Sequence, residues 1–153
     1  MRITLDTNVL VSAFISKHGH PADILELVIM LEEIKLVLSE EILEEFHEVL
    51  TREEVKARFG YSKPEVAEFV EAIRGVAEIV AIESDFKVVR EDPEDDVVVN
   101  TAYDGKADYI VSGDKHLLRL TRFKGVRIVS PTSFLTIVAK RFGDLMLSNS
   151  GIE

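Results

Sequence analysis

Short apolar runs alternate along the chain with longer segments in which apolar positions recur at helical spacing. The apolar runs have the length of buried strands and lie at residues 3–5, 35–38, 78–82, 108–111 and 126–129. Helical spacing predicts helices at 23–34, 40–50, 64–75, from 95 or 96 to 102, and 131–142, with two more directly after Asp6 and Asp114. Strands that alternate with helices predict an α/β fold around a mostly parallel sheet of about five strands.

Residues at the boundaries of these segments mark where helices begin and end. Ser39 is a natural N-cap for the helix that follows it, and Pro64 and Gly75 are expected to begin and end the next one. Residues 83–94 lack both periodicities, so we expect a surface loop with a short extended piece there.

The composition is that of an ordinary globular protein, and it narrows the available chemistry. The 153 residues are 46% hydrophobic and 30% charged, which suits one domain spanning residues 1–153 with a substantial core. The absence of cysteine excludes disulfides, thiolate metal sites and cysteine nucleophiles. We see neither a signal peptide nor an apolar run long enough to span a membrane, so we expect a cytoplasmic protein without membrane contact.

The charge is strongly acidic overall and unevenly distributed. The net charge is −10, but residues 1–113 carry −14 and residues 114–153 carry +4. No acidic residue lies between Asp114 and Asp144, whereas seven lysines and arginines do. This basic segment suits a solvated surface and a rim that contacts a polyanion equally well. The absence of glutamine and the abundance of charge are typical of heat-adapted proteins.

Three aspartates are candidates for a shared site because of where the predicted topology places them. Asp6 ends the first strand, Asp114 lies just beyond the fourth, and Asp95 begins the helix that precedes the fourth strand. Ligands of parallel sheets bind beyond the carboxyl ends of the strands, so we expect Asp6 and Asp114 to face the same edge. Asp95 can reach that edge from the N-terminus of its helix.

The helix after Ser39 supplies a fourth candidate. Its apolar positions form one arc at a spacing of 3.6 residues and are Ile42, Leu43, Phe46, Val49 and Leu50. Glu45 lies at the edge of this arc beside Val49, whereas the other glutamates of the helix lie farther toward solvent. We therefore select Glu45 as the acid that can project into a cleft.

Each of these acids also has a simpler explanation. The three aspartates precede helices, so helix capping alone can explain each of them. Glu45 can be an exposed residue at the edge of its helix. Four carboxylates at one sheet edge, however, repel each other unless cations lie between them. Oxygen ligands suit Mg²⁺ or Mn²⁺, and an acidic cleft holding such ions is typical of metal-assisted phosphodiester hydrolysis. The chain lacks the glycine-rich phosphate loops and the GxSxG motif of other enzyme classes.

Four segments in order along the chain resemble the PIN domain family, and especially its VapC-like branch of toxin ribonucleases. They are ITLDTNVLVSAF (3–14), SEEILEEFHEVL (39–50), DPEDDVVVNTA (92–102) and ADYIVSGDKHLL (107–118), with VRIVSPTSFL (126–135) after them. Each motif is weak alone, but the order and spacing of all four make the resemblance specific. It extends over roughly residues 2–135, and a C-terminal helix and tail occupy 131–153.

The resemblance implies a three-layer α/β/α fold and the hydrolysis of RNA with Mg²⁺ or Mn²⁺ as cofactor. It implies that the metal-binding and catalytic residues are Asp6, Glu45, Asp95 and Asp114. Asp95 is chosen over Asp96 because its seven-residue spacing to Ala102 matches the family pattern.

The resemblance also suggests supporting residues and partners. Asn8 and Ser112 match polar positions that can hold the carboxylates by hydrogen bonds. The VapC-like branch implies a toxin of a toxin–antitoxin pair, with an antitoxin protein as partner and a homodimer as assembly.

Other functions remain open at this point. The same fold can serve a housekeeping nuclease of RNA processing or decay, or a protein that has lost activity and only binds. A receiver-like, phospho-accepting signalling domain has similar size and acidity, but it needs an acidic pair after the first strand, where Asp6 stands alone. The apolar helix at 23–34 can be a contact surface between copies or a helix buried within the domain.

Overall fold

The fold is a computed structural model that describes residues 1–89 and 92–150. In these residues the strands are β1 (Arg2–Leu5), β2 (Lys35–Leu38), β3 (Ala77–Ile79), β4 (Tyr109–Val111), β5 (Arg122–Phe123) and β6 (Val126–Val129). The helices are α1 (Thr7–Ile15), α2 (His20–Met30), α3 (Glu40–Thr51), α4 (Glu53–Phe59), α5 (Lys63–Val76), α6 (Pro93–Asp104), α7 (Lys115–Leu120) and α8 (Pro131–Ser150).

One six-stranded sheet organises these elements in the order β3-β2-β1-β4-β6-β5. Neighbouring strands are parallel throughout, except that β5 and β6 pair in the antiparallel direction. The predicted α/β fold with a mostly parallel sheet is therefore confirmed, with one strand more than the five expected. The additional strand, β5, has only two residues, which is too short to carry a periodic pattern.

Helices cover both faces of the sheet because the chain reverses its direction across it. From β1 the chain moves outward to β2 and β3, and it then returns to β4 on the other side of β1. Since parallel crossovers are right-handed, this return places α6 on the face opposite the helices that connect β1, β2 and β3. There α6 packs against β1, β2 and β4. The reversal leaves a crevice at the carboxyl ends of β1 and β4.

The core lies between the sheet and the two helical layers. The predicted apolar arc of α3 is buried, with Val49 half-buried at its edge. Phe46 of this arc stacks on Phe69 of α5 with ring centroids 5.4 Å apart, and Phe14 of α1 meets both rings edge-on. Burying a phenylalanine of this kind stabilises the fold by about 2–3 kcal/mol, so this cluster holds α3 firmly against the sheet.

The helix predicted at 23–34 lies closer to the N-terminus in the structure. α2 begins at His20 because Pro21 occupies its first turn, and it ends at Met30 because Leu31 takes an extended conformation. One face of the helix is buried in the core, including Val28, whereas Ile29 is 63% exposed. Only the outer side of α2 is therefore accessible to another molecule.

The helix predicted at 64–75 is longer at both ends. Ser62 starts it with a capping box, in which the Ser62 hydroxyl accepts from the Glu65 N–H and the Glu65 carboxylate accepts from the Ser62 N–H. The prediction that Gly75 ends the helix is wrong, because α5 continues to Val76 and passes directly into β3. The strand predicted at 78–82 is correspondingly shifted and ends at Ile79.

Two further boundaries differ from the sequence pattern. α4 was not predicted, because it buries no residue and so shows no apolar stripe. α6 begins at Pro93 instead of Asp95 or Asp96, because the Asp92 carboxylate accepts the Glu94 N–H as an N-cap. Residues 90–91 of the predicted loop and residues 151–153 of the predicted tail lie outside the described residues.

The last helix extends past its predicted end. α8 runs to Ser150, with non-helical backbone at Phe142 (φ −126°) that marks a kink. It packs on α2, which closes one side of the helical layer. In the described part of the chain, no helix combines the length and the apolar character that a membrane crossing requires.

Candidate metal centre

A cleft lined by acidic side chains opens at the crevice between β1 and β4. Asp6 follows β1 directly, and Asp114 follows β4 and precedes α7. The first turn of α6 brings Asp95 to the same place, and one face of α3 brings Glu45. Asp6, Glu45 and Asp95 line one cavity, and carboxylate oxygens of Asp95 and Asp114 lie within 4.8 Å of each other. The structure therefore brings the four acids selected from the sequence to the same crevice.

Asp6 is the most deeply buried of the four, with 3% of its surface exposed. Burial raises the pKa of Asp6, and the Asp114 charge adds to this effect. A 2.7 Å hydrogen bond from the Ser112 hydroxyl to Oδ2 and the N–H groups of Thr7 and Asn8 oppose it. Asp6 occupies the N-cap position of α1, and the Thr7 and Asn8 N–H groups lie near its carboxylate without forming a hydrogen bond of capping geometry. Helix capping alone therefore does not explain this residue.

Ser112 links the two strand ends that carry aspartates. Its hydroxyl donates to Asp6 and accepts a 2.9 Å hydrogen bond from the backbone N–H of Asp114. The backbone N–H of Ser112 donates to the carbonyl oxygen of Val129, which fixes the residue to the end of β6. The side chain is fully buried, so the Asp6 carboxylate is held in one orientation.

Asp114 caps a helix and also lies among the acids of the cleft. Its Oδ1 accepts hydrogen bonds from the N–H groups of His116 and Leu117, so it is the N-cap of α7. It also belongs to a group in which one carboxylate oxygen each of Asp92, Asp95 and Asp114 lie within 4.8 Å of one another. A carboxylate has enough lone pairs for both, so the capping role and a place in the cleft coexist.

Asp95 and its neighbour Asp96 differ in their hydrogen bonds. Asp95 is 6% exposed, and its buried Oδ2 has no hydrogen-bond partner among the described residues. Burial raises the pKa of Asp95 to about 7, with the Asp114 charge as the next cause. Asp96 instead accepts the N–H groups of Val88 and Val89 and so holds the preceding loop on α6. The geometry thus favours Asp95 over Asp96 as the acid of the cleft.

Glu45 is held by α1 and by a second acid. Its Oε2 accepts a 2.9 Å hydrogen bond from the Thr7 hydroxyl. Burial and the neighbouring Glu94 carboxyl together raise the pKa of Glu45 to about 7, with burial as the larger cause. Glu94 lines the same cavity as Glu45.

The sequence prediction missed Thr7, Arg52, Asp92 and Glu94 at the cleft. Asp92 is the N-cap of α6 and Glu94 lies in its first turn, and the spacing of three places Asp92 on the same side as Asp95. The Asp-Pro pair that starts this helix was the available signal. Thr7 lies in the first motif, but its contact with Glu45 depends on how α1 packs on α3, which no local pattern reveals.

Asn8 is exposed and lines the cleft, and its backbone N–H lowers the pKa of Asp6. Among the described residues, no hydrogen bond joins the Asn8 side chain to a carboxylate, so the supporting role suggested by the sequence stays a prediction.

The acids enclose a cavity of about 210 Å³. It is lined by Asp6, Asn8, Glu45, Val49, Arg52, Asp92, Glu94 and Asp95. Arg52 is the one basic residue among these lining residues, all of which belong to the described part of the chain. It also forms an exposed ion pair with Glu48 at 3.6 Å, which contributes little to stability.

The donor set of this cavity fits a hard divalent cation. Every ligand atom offered by Asp92, Asp95 and Asp114 is a carboxylate oxygen, the type that Mg²⁺ and Mn²⁺ prefer. The unpartnered Oδ2 of Asp95 costs about 1–3 kcal/mol or more when it is buried without a hydrogen bond. A bound cation offsets this cost and the repulsion among the carboxylates at the same time.

The chain has recognisable relatives. A family model described as a PIN domain matches residues 2–116, which include both Asp6 and Asp114. An uncharacterised protein from Methanocaldococcus jannaschii is 32% identical over 120 residues, which amount to 78% of this chain and 75% of that protein. The crystal structure of VapBC2 from Rickettsia felis bound to a DNA fragment from its promoter has a similar fold, with a TM-score of 0.58. The two are 16% identical, and the match covers 85% of this chain and 98% of that one.

Proposed function

Because the chain belongs to the PIN domain family, whose members are nucleases, we propose that it is a metal-dependent endoribonuclease and the toxin of a toxin–antitoxin pair. The family match also confirms the resemblance carried by the sequence motifs. The substrate in this proposal is RNA, and the reaction is hydrolysis of a phosphodiester bond. Mg²⁺ or Mn²⁺ is the cofactor, held by Asp6, Glu45, Asp95 and Asp114.

The observation that supports this proposal most strongly is the buried, unpartnered Oδ2 of Asp95 in a cleft of converging acids. A carboxylate with only a structural role would be satisfied by backbone N–H groups, as Asp96 is. An acid that is buried, crowded by like charges and left without a donor is arranged for a ligand that arrives from outside.

In this proposal the chain supplies a rigid set of oxygens. The Ser112 hydroxyl fixes Asp6, and the Thr7 hydroxyl fixes Glu45, so neither carboxylate needs to reorient when substrate binds. Asp92 adds a further oxygen beside Asp95 and Asp114. When bound, the cation neutralises this cluster, helps to ionise water and stabilises the charge that develops on the phosphate.

Two of the acids have raised pKa values in the metal-free fold. Burial raises the pKa of Asp95 to about 7 and that of Glu45 to about 7. A bound cation favours the ionised form of both carboxylates, so we assign both to metal binding.

An antitoxin protein and a second copy of the chain are the proposed protein partners, in the cytoplasm. The likeness of the fold to VapBC2 favours the toxin role over other uses of the same fold. The alternative is a housekeeping nuclease of RNA processing or decay with the same residues. Co-expression with the product of an adjacent small gene distinguishes the two, because an antitoxin suppresses cleavage and relieves any growth arrest. The receiver-like alternative is not supported, since the chain belongs to the PIN domain family.

The direct test is cleavage of a generic single-stranded RNA in the presence of Mg²⁺ or Mn²⁺. We expect cutting by the wild-type protein and loss of cutting with EDTA or with Asp6→Asn. Asp85→Asn is the matched control, because Asp85 is exposed and pairs only with Lys87 in the described structure. Thermal unfolding verifies that both variants remain folded. Cutting by Asp6→Asn at the wild-type rate would refute the proposal.

A further inference from the structure

A second cavity, of about 480 Å³, lies on the other side of Asn8 from the acidic cleft. It is lined by Asn8, Val9, Ser12, Pro21, Gly113, Asp114, Lys115 and Pro131. These residues come from one face of α1, from the first turns of α2 and α8, and from the segment that connects β4 to α7. We call it the flanking cavity. It continues the crevice along the carboxyl edge of the sheet, from β1 toward β6.

The flanking cavity is contiguous with the site of chemistry. Asn8 lines both cavities, and Asp114, which lines the flanking cavity, lies within 4.8 Å of the Asp92 and Asp95 oxygens of the acidic cleft. A nucleic-acid strand whose phosphodiester lies at the carboxylates must place one neighbouring nucleotide on each side. On the side of β6, the flanking cavity is the space available for it.

The two cavities differ in chemistry. Acidic groups dominate the cleft, whereas Val9, Pro21 and Pro131 give the flanking cavity an apolar wall. The exposed side chains of Asn8 and Ser12 add hydrogen-bonding groups. A base has an apolar face and polar edges, and a volume of this order holds a small ligand.

Lys115 supplies a cation at the same cavity. It is the first residue of α7 and directly follows Asp114. The residue is exposed, and it makes no ion pair in the described part of the chain. Its ammonium is therefore available to an anion that enters the flanking cavity.

We propose that the flanking cavity binds the nucleotide adjacent to the scissile phosphodiester of a single-stranded nucleic acid. The base packs on the wall formed by Val9, Pro21 and Pro131, and its phosphate pairs with the Lys115 ammonium. This inference rests on the proposed nuclease function, because it assigns the strand path by reference to the acidic cleft.

The first test uses substitutions in the flanking cavity that leave the acids in place. Lys115→Ala is expected to raise KM for single-stranded RNA about tenfold with little change in kcat, and Lys115→Arg to restore it, since a charged hydrogen bond is lost and regained. Ser12→Glu should raise KM more than Ser12→Gln, which has the same size without the charge. Lys140→Ala is the matched control, because Lys140 is an exposed lysine of α8 outside the cavity lining. Unchanged KM in both Lys115→Ala and Ser12→Glu would overturn the proposal.

The second test measures binding without cleavage. Cytidine and adenosine monophosphates are titrated into the ¹⁵N-labelled protein, and we expect amide shifts at Val9, Ser12 and Lys115 that Lys115→Ala weakens. Shifts confined to other surfaces would overturn the proposal. A single-stranded DNA of the same sequence serves as a parallel arm and shows whether the cavity accepts both sugars.

The two tests separate this inference from the function beneath it. If Asp6→Asn abolishes cleavage while the flanking variants behave as wild type, the nuclease stands and the subsite is refuted. If monophosphates bind at the flanking cavity but wild-type protein cuts no RNA, the cavity is a nucleotide site, and the nuclease proposal fails together with the assignment of this site to a scissile phosphodiester.

Discussion

The sequences that begin helices α5 and α6 are similar, but the hydrogen bonds at the two helix starts differ. α5 and α6 each carry a proline in the first turn and a polar cap before it. At α5, Ser62 and Glu65 satisfy each other's backbone N–H groups. At α6, Asp92 alone provides the cap, and Glu94, Asp95 and Asp96 follow it. One of those acids, Asp95, has a buried oxygen without a partner.

The difference teaches how to separate an acid that stabilises a helix from one that awaits a ligand. A helix N-terminus needs one good cap, and its dipole rewards one or two further acids by a few tenths of a kcal/mol to about 1 kcal/mol each. The start of α6 carries more acidic residues than capping and the helix dipole explain, and it lies where Asp6 and Asp114 already crowd the sheet edge. A buried acid in excess of what the helix needs therefore indicates a ligand site, whereas an acid near a helix start does not by itself indicate one.

The largest expected effect comes from neutralising the surplus acid. Asp95→Asn should reduce RNA cleavage by at least about 100-fold, because it removes a proposed ligand of the metal ion. Glu65→Gln at α5 should leave the cleavage rate unchanged. Initial rates on single-stranded RNA at saturating Mn²⁺ provide the measurement. Equal losses from the two substitutions would show that both act only through stability.

The pH dependence of stability should separate the two helix starts next. The pKa of Asp95 and that of Glu45 are both raised to about 7 in the fold. A raised carboxyl pKa stabilises the fold below the unfolded value near 4, and this contribution is lost as pH rises through about 7. The metal-free protein should therefore melt at a lower temperature at about pH 8 than at about pH 5.

Metal and mutation provide the controls for that melting experiment. Saturating Mn²⁺ should remove the decline toward high pH, since a cation favours the ionised carboxylates. Asp95→Asn should flatten the decline in the metal-free protein, whereas Glu65→Gln should leave its slope unaltered. A melting temperature that rises steadily from about pH 5 to about pH 8 without metal would contradict the assigned cause.

The smallest effect is expected at the satisfied helix start. Ser62→Ala should lower the free energy of unfolding by about 1 kcal/mol, since one capping hydrogen bond is lost. The loss should be the same with and without metal, and cleavage per folded molecule should not change. Urea unfolding monitored by circular dichroism gives the number. If the loss in free energy of unfolding differed with and without metal, the stability of α5 would be coupled to metal binding in the cleft.

Much of this fold could be predicted because the periodicities of strands and helices are strong here. The apolar run 35–38 is β2 as predicted, and Ser39 caps α3 with its hydroxyl accepting from the Ile42 N–H. The same periodicity placed Glu45 at the edge of the buried arc, which is where its contact with Thr7 requires it. Elements without an apolar stripe, such as α4 and β5, left no such signal.

Only some residues of the cleft could be predicted from the sequence. Which of two adjacent acids faces it depends on the loop before α6, whose Val88 and Val89 N–H groups occupy Asp96 and leave Asp95 for the cleft. That loop has no periodic pattern from which its course could be inferred. The roles of Asp92 and Glu94 depend in turn on where α6 begins, and a single N-cap hydrogen bond from the Glu94 N–H decides that.

The hydrogen bond from Ser112 to Asp6 joins residues 106 positions apart in the chain. During synthesis, Asp6 leaves the ribosome long before β4 exists, and closing so long a loop comes late in folding. A chain that ends between Asp6 and Ser112 has the first aspartate but lacks the Ser112 hydroxyl that orients it. The site can therefore assemble only in a nearly complete chain, so premature termination yields an inert product and not a partly active one.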